Sequence, residues 1–457
     1  MAISDRVPPG DPRYRAVVDK RFNKRFSAAP DYVRLARSTD DVVAAVGDAV
    51  REGRRLVVTS GGHCLEGFVS DPEVKVIVDV SAMKRVAFDA QRGAVVVEAG
   101  ATVGETFRAL AEGWGVVVPL GEYPGIGMGG HVAGGAFGFL CRQLGLAADY
   151  LHAVEVVTVN AAGEPEVVVA TRAPSDPNRE LWWGLTGAGG GNFGVVTRQW
   201  FRSPEAAGGD PAVLLPRAPQ SMTTFRAEWS WADLDRAAFA RVVRNHGVWS
   251  ERTAGADSPY ASLWTLMALH RAQLGKIFVR GVSTAGDGAA RQIDDFLDAL
   301  GEGTVAASNR AQARMSWLDF ALDPFPDMFA MPPGGVSTKV KDALLGRRLT
   351  DRQIDVAYDY LTSTQHASWA ACWGWRAPAA RSTASRPTRR RPRSVTRSWT
   401  SPATPAGWIR ATRRKTWPGC GRSIATSWRT AAACPFPATG TRARSSTTRT
   451  RTSPIRR

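Results

Sequence analysis

Residues 30–200 alternate short runs of β-branched apolar residues with glycine turns and with stretches of helical periodicity. Six runs have the length and composition of strands, namely RRLVVTS, VKVIVDV, GAVVVEAG, WGVVVPL, AVEVVTVN and PEVVVA. Between them, Asp40–Arg51 and Val103–Glu112 carry apolar residues at the spacing of an amphipathic helix. The pattern predicts an α+β domain with several sheets over residues 1–205.

Residues 206–365 have a different pattern, with tryptophan-rich strand segments and longer helical ones. AEWSWADL and ASLWTLMALH are predicted strands, and Gly286–Leu300 and Thr350–Thr362 are predicted helices. We therefore expect a second, α/β domain in which helices cover a sheet.

The formal net charge of +17 comes from the C-terminal end of the chain. From Tyr360 to Arg457 there are 20 Lys and Arg and no Asp or Glu, which leaves 39 basic and 42 acidic residues for the remainder. From about His366 onward the chain is rich in Arg, Pro, Ala, Ser and Thr, and apolar periodicity disappears. Residues 366–457 are therefore predicted to be a basic tail without a native fold, which truncates the second domain at residue 365.

Two explanations of this tail remain open. A basic arm could bind nucleic acid or an acidic surface without sequence specificity. Alternatively, the gene carries a frameshift near codons 362–370. Codons that encode Ala438–Arg456 also permit, after one added G, the string GDRYEGALINHPDTDLADP, in which acidic and apolar residues return. We favour the frameshift and predict no specific nucleic-acid partner.

Other sequence features point to a cytoplasmic protein. The N-terminus is polar and proline-punctuated, and no apolar run reaches membrane-spanning length. Five cysteines in a chain of this size indicate no disulfide framework. We predict no membrane association and no bound metal, and the sequence carries no signal for an oligomeric state.

Three segments rich in glycine carry the candidate chemistry: Leu56–Phe68 (LVVTSGGHCLEGF), Gly121–Gly138 (GEYPGIGMGGHVAGGAFG) and Leu181–Thr197 (LWWGLTGAGGGNFGVVT). Glycines at strand ends let backbone N–H groups approach a ligand closely. Because so many glycines destabilise a helix or strand, the second segment is predicted to be a loop against a large flat or charged ligand. Taken singly, each segment is also consistent with an ordinary turn.

The order and spacing of the three segments resemble the FAD-binding module of the vanillyl-alcohol oxidase and p-cresol methylhydroxylase superfamily. Within it, the chain is similar to the berberine-bridge-enzyme branch and to hexose oxidases that tailor glycopeptide antibiotics. The resemblance covers roughly residues 25–365. It implies an FAD-binding domain of the PCMH type with two subdomains at 1–205 and a substrate-binding domain at 206–365.

The resemblance also implies that FAD is the cofactor and that His63 bonds covalently to its 8α carbon, which requires a neutral imidazole. The other residues implied to contact FAD all lie in the three glycine segments: Thr59, Ser60, Gly61, Gly62, Cys64, Gly121, Tyr123, Gly125, Gly127, Gly129, Gly130, His131, Gly134, Gly135, Phe137, Gly138, Asn192, Gly194, Val195 and Val196. For His131, a hydrogen bond that stabilises the loop is the open alternative to a flavin contact.

The sequence departs from the family pattern at three positions. Tyr123 stands where members with two covalent links carry a cysteine, so we expect a single link. Thr59 replaces an arginine that commonly precedes the SGGH motif, and Phe137 replaces a tyrosine. Cys64 and Cys141 are expected to act as small buried residues.

The resemblance further implies an oxidase. Such enzymes move a hydride from an alcohol or sugar carbon to FAD and then reduce O2 to H2O2, and the substrate is expected to be a small molecule of secondary metabolism. The family's catalytic base comes from a tyrosine-containing C-terminal stretch that is out of frame here, so the catalytic residue is unassigned. We expect this chain to fold poorly, to bind flavin weakly or not at all, and to turn over little. A flavin dehydrogenase with another electron acceptor, and a non-catalytic flavoprotein or binding protein with a basic tail, are the alternatives.

Overall fold

Four short strands near the N-terminus form the first sheet of this computed structural model, which describes residues 5–187, 190–325, 337–341, 343, 345–365, 372–376 and 434–435. The strands are β1 (Asp5–Val7), β2 (Tyr32–Leu35), β3 (Leu56–Thr59) and β4 (Val76–Asp79), in the order β1-β2-β4-β3. β2, β4 and β3 run parallel and β1 is antiparallel. The parallel pairing requires a crossover, which helix α2 supplies.

Two helices accompany the first sheet, α1 (Pro12–Val18) and α2 (Thr39–Arg51). α2 begins at Ser38, whose side chain accepts a hydrogen bond from Asp41 N, and Asp40 and Asp41 lie in its first turn. Its apolar stripe is buried against the sheets, so the helix forms for the reasons the sequence predicted, one residue earlier than Asp40.

The second sheet has five antiparallel strands in the order β5-β6-β9-β7-β8. They are β5 (Val86–Asp89), β6 (Ala94–Glu98), β7 (Leu151–Val159), β8 (Pro165–Thr171) and β9 (Val195–Phe201). The helices inserted between them are α3 (Val103–Trp114), α4 (Met128–Ala133), α5 (Cys141–Leu144) and α6 (Arg179–Gly184). In α3 a capping box of Thr102 and Glu105 starts the helix, and Gly115 at φ +66° ends it.

A buried carboxylate joins the first sheet to the second. Glu155 on β7 is 7% exposed, and its Oε1 accepts hydrogen bonds from Thr39 Oγ1 (2.7 Å) and Thr197 Oγ1 (2.8 Å). Arg198 Nη1 lies 3.3 Å from Glu155 Oε2. Because the charge is satisfied by several donors, it holds α2 against β7 and β9 without a large desolvation penalty.

The third sheet, in the order β13-β10-β12-β11-β15, lies later in the chain. Its strands are β10 (Ser221–Ser230), β11 (Leu263–His270), β12 (Lys276–Ser283), β13 (Ser308–Ser316) and, after the two-residue β14 (Thr338–Lys339), β15 (Cys372–Arg376). The helices here are α7 (Pro211–Leu214), α8 (Arg236–Arg252), α9 (Ala289–Gly301), α10 (Trp317–Leu322) and α11 (Asp351–Thr362). α8, α9 and α11 cover one face of this sheet around a core that includes Phe225, Phe239 and Phe296, so the expectation of a sheet covered by helices is confirmed.

The second and third sheets share a core. Phe139 packs edge-on against Trp264 and Phe320 with ring centroids 4.9 Å apart in each pair, and Phe107 meets Trp317 at 5.0 Å. This aromatic layer fixes the third sheet over helix α3 and the loop that follows α4.

Five of the six predicted strand runs form strands, whereas WGVVVPL does not. Val116, Val117 and Val118 are fully buried, yet the segment makes only an isolated bridge from Val116 to Arg217. Val117 N donates to Pro216 O (2.8 Å) and the proline at 119 has no N–H, so no strand can pair along the segment. The strand prediction for this segment is wrong. A run of β-branched apolar residues indicates that the segment is buried, but it does not show that a neighbouring strand is available for pairing.

The mixed α+β class is confirmed, and the boundaries of the domains stay predictions. Five residues of the predicted tail, Cys372–Arg376, pair antiparallel with β11, so the fold extends at least to residue 376. Cys434–Pro435 pairs with β14. The remaining predicted tail lies outside the described residues, and the frameshift stays a prediction.

Candidate functional site

The first glycine turn follows β3 directly and is fixed by two hydrogen bonds to neighbouring segments. Val80 N donates to Thr59 O (3.0 Å), and Ser60 Oγ donates to Ala99 O (2.7 Å). Gly62 has φ +76°, in the left-handed region that glycine adopts without strain. The chain can therefore reverse sharply after β3 and present His63 at its tip.

The first and second glycine segments touch through their backbones. A Cβ on Gly61 would lie 2.3 Å from Gly127 N, and a Cβ on Gly127 would lie 2.0 Å from Ser60 Oγ. No side chain larger than hydrogen fits at either position. These two glycines are therefore required for contact between two segments, whatever ligand the segments bind.

Part of the second segment is helical, which corrects the prediction that it is entirely a loop. Gly127 is the N-cap of the six-residue α4. Gly129 N donates to Ala99 O (2.9 Å), and a Cβ on Gly129 would lie 2.9 Å from Ala99 Cβ. Tertiary packing against Ala99 outweighs the low helix propensity of these glycines.

His131 stabilises the second segment from within. Gly121 N donates to His131 Nε2 at 2.8 Å, which assigns the ring proton of the neutral form to Nδ1. Burial, with a smaller contribution from His63, lowers the pKa of His131 to about 4. The loop-stabilising hydrogen bond expected for His131 is therefore present, and its contact with a cofactor stays a prediction.

The remaining residues of the second segment divide into open and packed positions. Gly130 is exposed, and a Cβ there would meet nothing within 4 Å. Gly134 follows as the C-cap of α4, and Gly135 N donates to Val132 O (2.8 Å). Gly138 is packed, because a Cβ there would lie 2.0 Å from Leu120 O.

Phe137 belongs to a small apolar cluster with buried Cys141 and Leu146. Its position in this cluster gives it a packing role. Its predicted contact with the cofactor stays a prediction.

The third segment lies beside the second. A Cβ on Gly190 would lie 3.4 Å from Ala133 Cβ and 3.9 Å from Gly130 O, and a Cβ on Gly191 would meet nothing within 4 Å. Asn192 Nδ2 donates to Gly190 O at 3.3 Å. Residues 188 and 189 of this segment lie outside the described residues.

Gly194 leads the third segment into β9. It has φ +135°, and a Cβ there would lie 2.5 Å from Val157 O. Val195 and Val196 pair with Val157 and Val156 of β7 and are buried. Their side chains pack in the core, so any contact with a ligand must come from their backbone.

His63 is enclosed by two aromatic rings. The centroids of the Phe22 and Tyr123 rings lie 5.1 and 4.9 Å from that of His63. A Cβ on Gly125 would lie 2.8 Å from Tyr123 Cε1 and 3.4 Å from His63 Nε2, so a side chain at 125 would push the rings apart. Burial, with a smaller contribution from the Lys20 ammonium, lowers the pKa of His63 to about 4, which keeps the imidazole neutral at neutral pH.

Cys64 and Cys141, the two cysteines in the N-terminal half of the chain, are free thiols. Cys64 is half-buried and its thiol donates to Glu66 O at 3.2 Å. Cys141 is fully buried, its sulfur accepts from Gly138 N (2.9 Å), and burial raises the pKa of its thiol to about 12. A thiol held protonated in this way is a poor nucleophile, in agreement with a packing role for Cys141.

The sequence did not point to Lys20, Phe22 or Ala99, which all contact the glycine segments. Lys20 Nζ donates to Ser60 O (2.7 Å), Phe22 packs on His63, and Ala99 O accepts from both Ser60 and Gly129. They lie 36 to 43 positions from the SGGH motif in the chain. Ala99 follows the end of strand β6, and this is the single signal that could have indicated it.

The arrangement fits a large cofactor such as FAD. The three glycine segments converge, because Gly61 contacts Gly127 and Gly190 lies beside Gly130. Gly130 and Gly191 leave an open surface that side chains would fill. A neutral imidazole, flanked by rings at the tip of the first turn, meets the chemical requirement of attachment at His63.

Comparisons with known proteins agree with this arrangement. Residues 30–167 match the family of the FAD binding domain. Aclacinomycin-N/aclacinomycin-A oxidase of Streptomyces galilaeus is 44% identical over 361 residues, which is 79% of this chain and 65% of that protein. Hexose oxidase of Chondrus crispus is 32% identical over 240 residues, 52% of this chain and 42% of that enzyme. The crystal structure of a glycopeptide hexose oxidase in complex with teicoplanin is 40% identical with a TM-score of 0.72, and the match covers 79% of this chain and 72% of that one.

The chain thus spans less than two thirds of the length of the curated relatives it matches. Within the described residues no helix is long and apolar enough to cross a membrane, and no cluster of His, Cys, Asp and Glu could hold a metal ion. The sequence identity, the matched domain and the shared fold confirm the resemblance found in the three glycine segments. The chain belongs to the family of FAD-linked oxidoreductases that includes aclacinomycin oxidase, hexose oxidase and the berberine bridge enzyme-like proteins.

Proposed function

We propose that the protein is an FAD-dependent oxidase that oxidises a hydroxyl-bearing carbon of a sugar or other alcohol and passes the electrons to O2, giving H2O2. The proposed FAD bonds covalently to His63 through a single link. The observation that carries the proposal is the convergence of three glycine segments beside one neutral histidine.

The names of relatives support the class of substrate. One relative is an oxidase of aclacinomycin-N and aclacinomycin-A, one is a hexose oxidase, and one is a glycopeptide hexose oxidase in complex with teicoplanin. By analogy, the substrate of this chain would be a glycosylated or alcohol-bearing small molecule of secondary metabolism.

Each group of residues has a distinct part in the proposal. When bound, FAD would supply the acceptor for a substrate hydride. The backbones of Gly61, Gly127 and Gly130 would approach the cofactor, and His63 would tether it. The half-buried ring of His131 would keep the second segment in shape through its bond to Gly121.

The test is to express the 457-residue chain and a chain whose reading frame is restored after codons 362–370. Flavin fluorescence of the denatured protein band reports covalent attachment, and peroxide release on a panel of glycosides and alcohols reports turnover. We expect tethered flavin and peroxide in the restored chain, and little turnover in the 457-residue chain because the C-terminal stretch expected to supply the base is predicted to be out of frame. A restored chain that binds no flavin would contradict the proposal.

Peroxide yield also separates an oxidase from a dehydrogenase. An oxidase consumes one O2 and releases one H2O2 for each substrate oxidised, whereas a dehydrogenase turns over under air only with an added acceptor.

The cytoplasmic location expected from the cysteine content stays a prediction.

A further inference from the structure

Residues 20–23, here termed the N-terminal clamp, run along the outside of the first glycine turn. Three hydrogen bonds join the two segments: from Lys20 Nζ to Ser60 O (2.7 Å), from Phe22 N to Gly62 O (3.0 Å) and from Asn23 Nδ2 to Leu65 O (2.7 Å). The clamp therefore contacts the turn on both sides of His63.

The close approach of the clamp depends on Gly62. A Cβ at this position would lie 3.1 Å from Lys20 O and 3.4 Å from Lys20 Cγ, tighter than ordinary contacts. The glycine thus admits the backbone of the clamp as well as the left-handed turn.

Asn23 fixes the clamp to a distant part of the chain. It is 1% exposed, its Nδ2 donates to Thr338 O (2.9 Å), and its Oδ1 accepts from Thr338 N (3.1 Å). A salt bridge from Lys339 to Glu66 lies next to this pair. Because a buried amide with three partners is costly to displace, the clamp has a defined position.

The clamp acts on the His63 ring in two ways. The centroid of the Phe22 ring lies 5.1 Å from that of His63, with an angle of 32° between the ring planes. Tyr123, which is outside the clamp, also contacts His63, with ring centroids 4.9 Å apart and an angle of 46°. The Lys20 ammonium disfavours a positive charge on the imidazole, in addition to the larger effect of burial on its pKa.

We propose that Lys20 and Phe22 are positioning residues, which hold the His63 ring in the orientation in which it bonds to FAD. This inference rests on the proposed attachment at His63. It assigns the clamp a part in forming the covalent bond rather than in holding flavin or oxidising substrate.

The bond forms between a ring nitrogen of His63 and the 8α carbon. One C–H proton and the N–H proton are released, two electrons remain on the flavin ring, and O2 takes up these two electrons and two protons to give H2O2. Misplacing a reacting group by about 1 Å can slow such a step about a hundredfold. The rate of attachment is therefore the measurement that responds most to the position of the His63 ring.

The test compares Lys20→Met and Phe22→Leu with the unaltered 457-residue chain. Lys24→Met is the matched control, because Lys24 lies in the same stretch and its Nζ donates to Asp19 O rather than to the turn. Apo-protein is mixed with saturating FAD, and covalent flavin is followed by fluorescence of the denatured band. Melting temperature reports folding, and NMR of labelled histidine reports the pKa of His63. The same variants are made in the frame-restored chain.

We expect Lys20→Met and Phe22→Leu to attach flavin at least about tenfold more slowly, with melting temperatures and non-covalent FAD binding close to those of the unaltered chain. Lys20→Met should also raise the pKa of His63 toward its ordinary value, which a purely structural residue would leave in place. Lys24→Met should behave as the unaltered chain.

Attachment at the unaltered rate in both clamp variants would overturn the inference and leave the proposed function standing. If neither unaltered chain attaches flavin, the covalent part of the proposed function fails together with the inference. Should Phe22→Leu fail to fold, the rate and the His63 pKa of Lys20→Met decide the matter.

Discussion

The amide nitrogen of Gly127 lies only 2.3 Å from the point that a side-chain carbon on Gly61 would occupy. The reverse distance, from a Cβ on Gly127 to Gly61 N, is also 2.3 Å. The two segments that would bind the cofactor are thus in mutual backbone contact, and neither can be altered at this point without moving the other.

Gly61→Ala and Gly127→Ala are expected to separate the two segments. Backbone atoms have no rotamer by which to yield, so the free energy of unfolding should fall by about 1–3 kcal/mol and flavin binding should be lost. Urea unfolding and flavin absorbance after gel filtration measure the two effects. Gly113→Ala is the control, because a Cβ there meets nothing within 4 Å and alanine favours the helix. Retention of full flavin binding in Gly127→Ala would contradict this prediction.

His63→Ala should abolish covalent flavin, because His131 accepts the Gly121 N–H through Nε2 and the Cys64 thiol donates to Glu66 O, so neither group is placed as His63 is. Denaturing electrophoresis under ultraviolet light should show a fluorescent band for the frame-restored chain and none for its His63→Ala variant. His152→Ala is a suitable control, because His152 lies on β7 and its backbone oxygen accepts from Arg172 N rather than from the first or second glycine segment. A fluorescent band in the His63 variant would show that another residue carries the link.

The pH dependence of attachment should reflect the low pKa of His63. Its pKa is about 4, below the ordinary value of 6.5, so the imidazole is already neutral between about pH 6 and pH 8. The rate should be nearly constant over that range and fall as the pH approaches 4. Among the titratable groups near His63, the Lys20 ammonium opposes protonation of its ring, and His63 in turn opposes protonation of His131; the Tyr123 ring lies beside His63. Initial rates at saturating FAD measure this profile, and a fall centred near pH 6.5 would contradict it.

One buried and two half-buried histidines should also make the fold sensitive to mild acid. His63, His131 and His246 each have a pKa of about 4, lowered mainly by burial, whereas in the unfolded chain they titrate near the ordinary value of 6.5. Between these values the unfolded state binds more protons, so stability is complete above about pH 6.5 and decreases as the pH falls toward 4. The urea midpoint should therefore be lower at about pH 5 than at about pH 7.5, a window above the range in which most carboxylates titrate. An unchanged midpoint would argue against neutral burial of these rings.

Local sequence patterns predicted the elements that depend on local physics. The β-branched run AVEVVTVN forms β7, and Ser38 and Thr102 begin helices as capping residues should. The pattern failed at Val116–Leu120, where burial is complete but no neighbouring strand is available. It also failed at α4, where contact with Ala99 stabilises a helix that contains two glycines. Composition reports burial, whereas pairing partners are set by the tertiary fold.

The same division applies to the candidate site. The three glycine segments were identifiable because runs of glycine at strand ends appear in the sequence and their order resembles that of a known family. Lys20 and Phe22 were not, because a lysine and a phenylalanine in the stretch between α1 and β2 have no local signature and acquire their role through contacts with residues some 40 positions away in the chain.

The carbonyl of Ala99 accepts hydrogen bonds from Ser60 of the first segment and Gly129 of the second, and this has a consequence for protein engineering. If only one segment is exchanged for that of a relative, the position of Ala99 can change, and the hydrogen bond from the other segment to its carbonyl is then lost. Grafts between family members should therefore transfer 59–64, 99 and 121–138 as one unit, and chimeras that divide this set should be recovered without flavin.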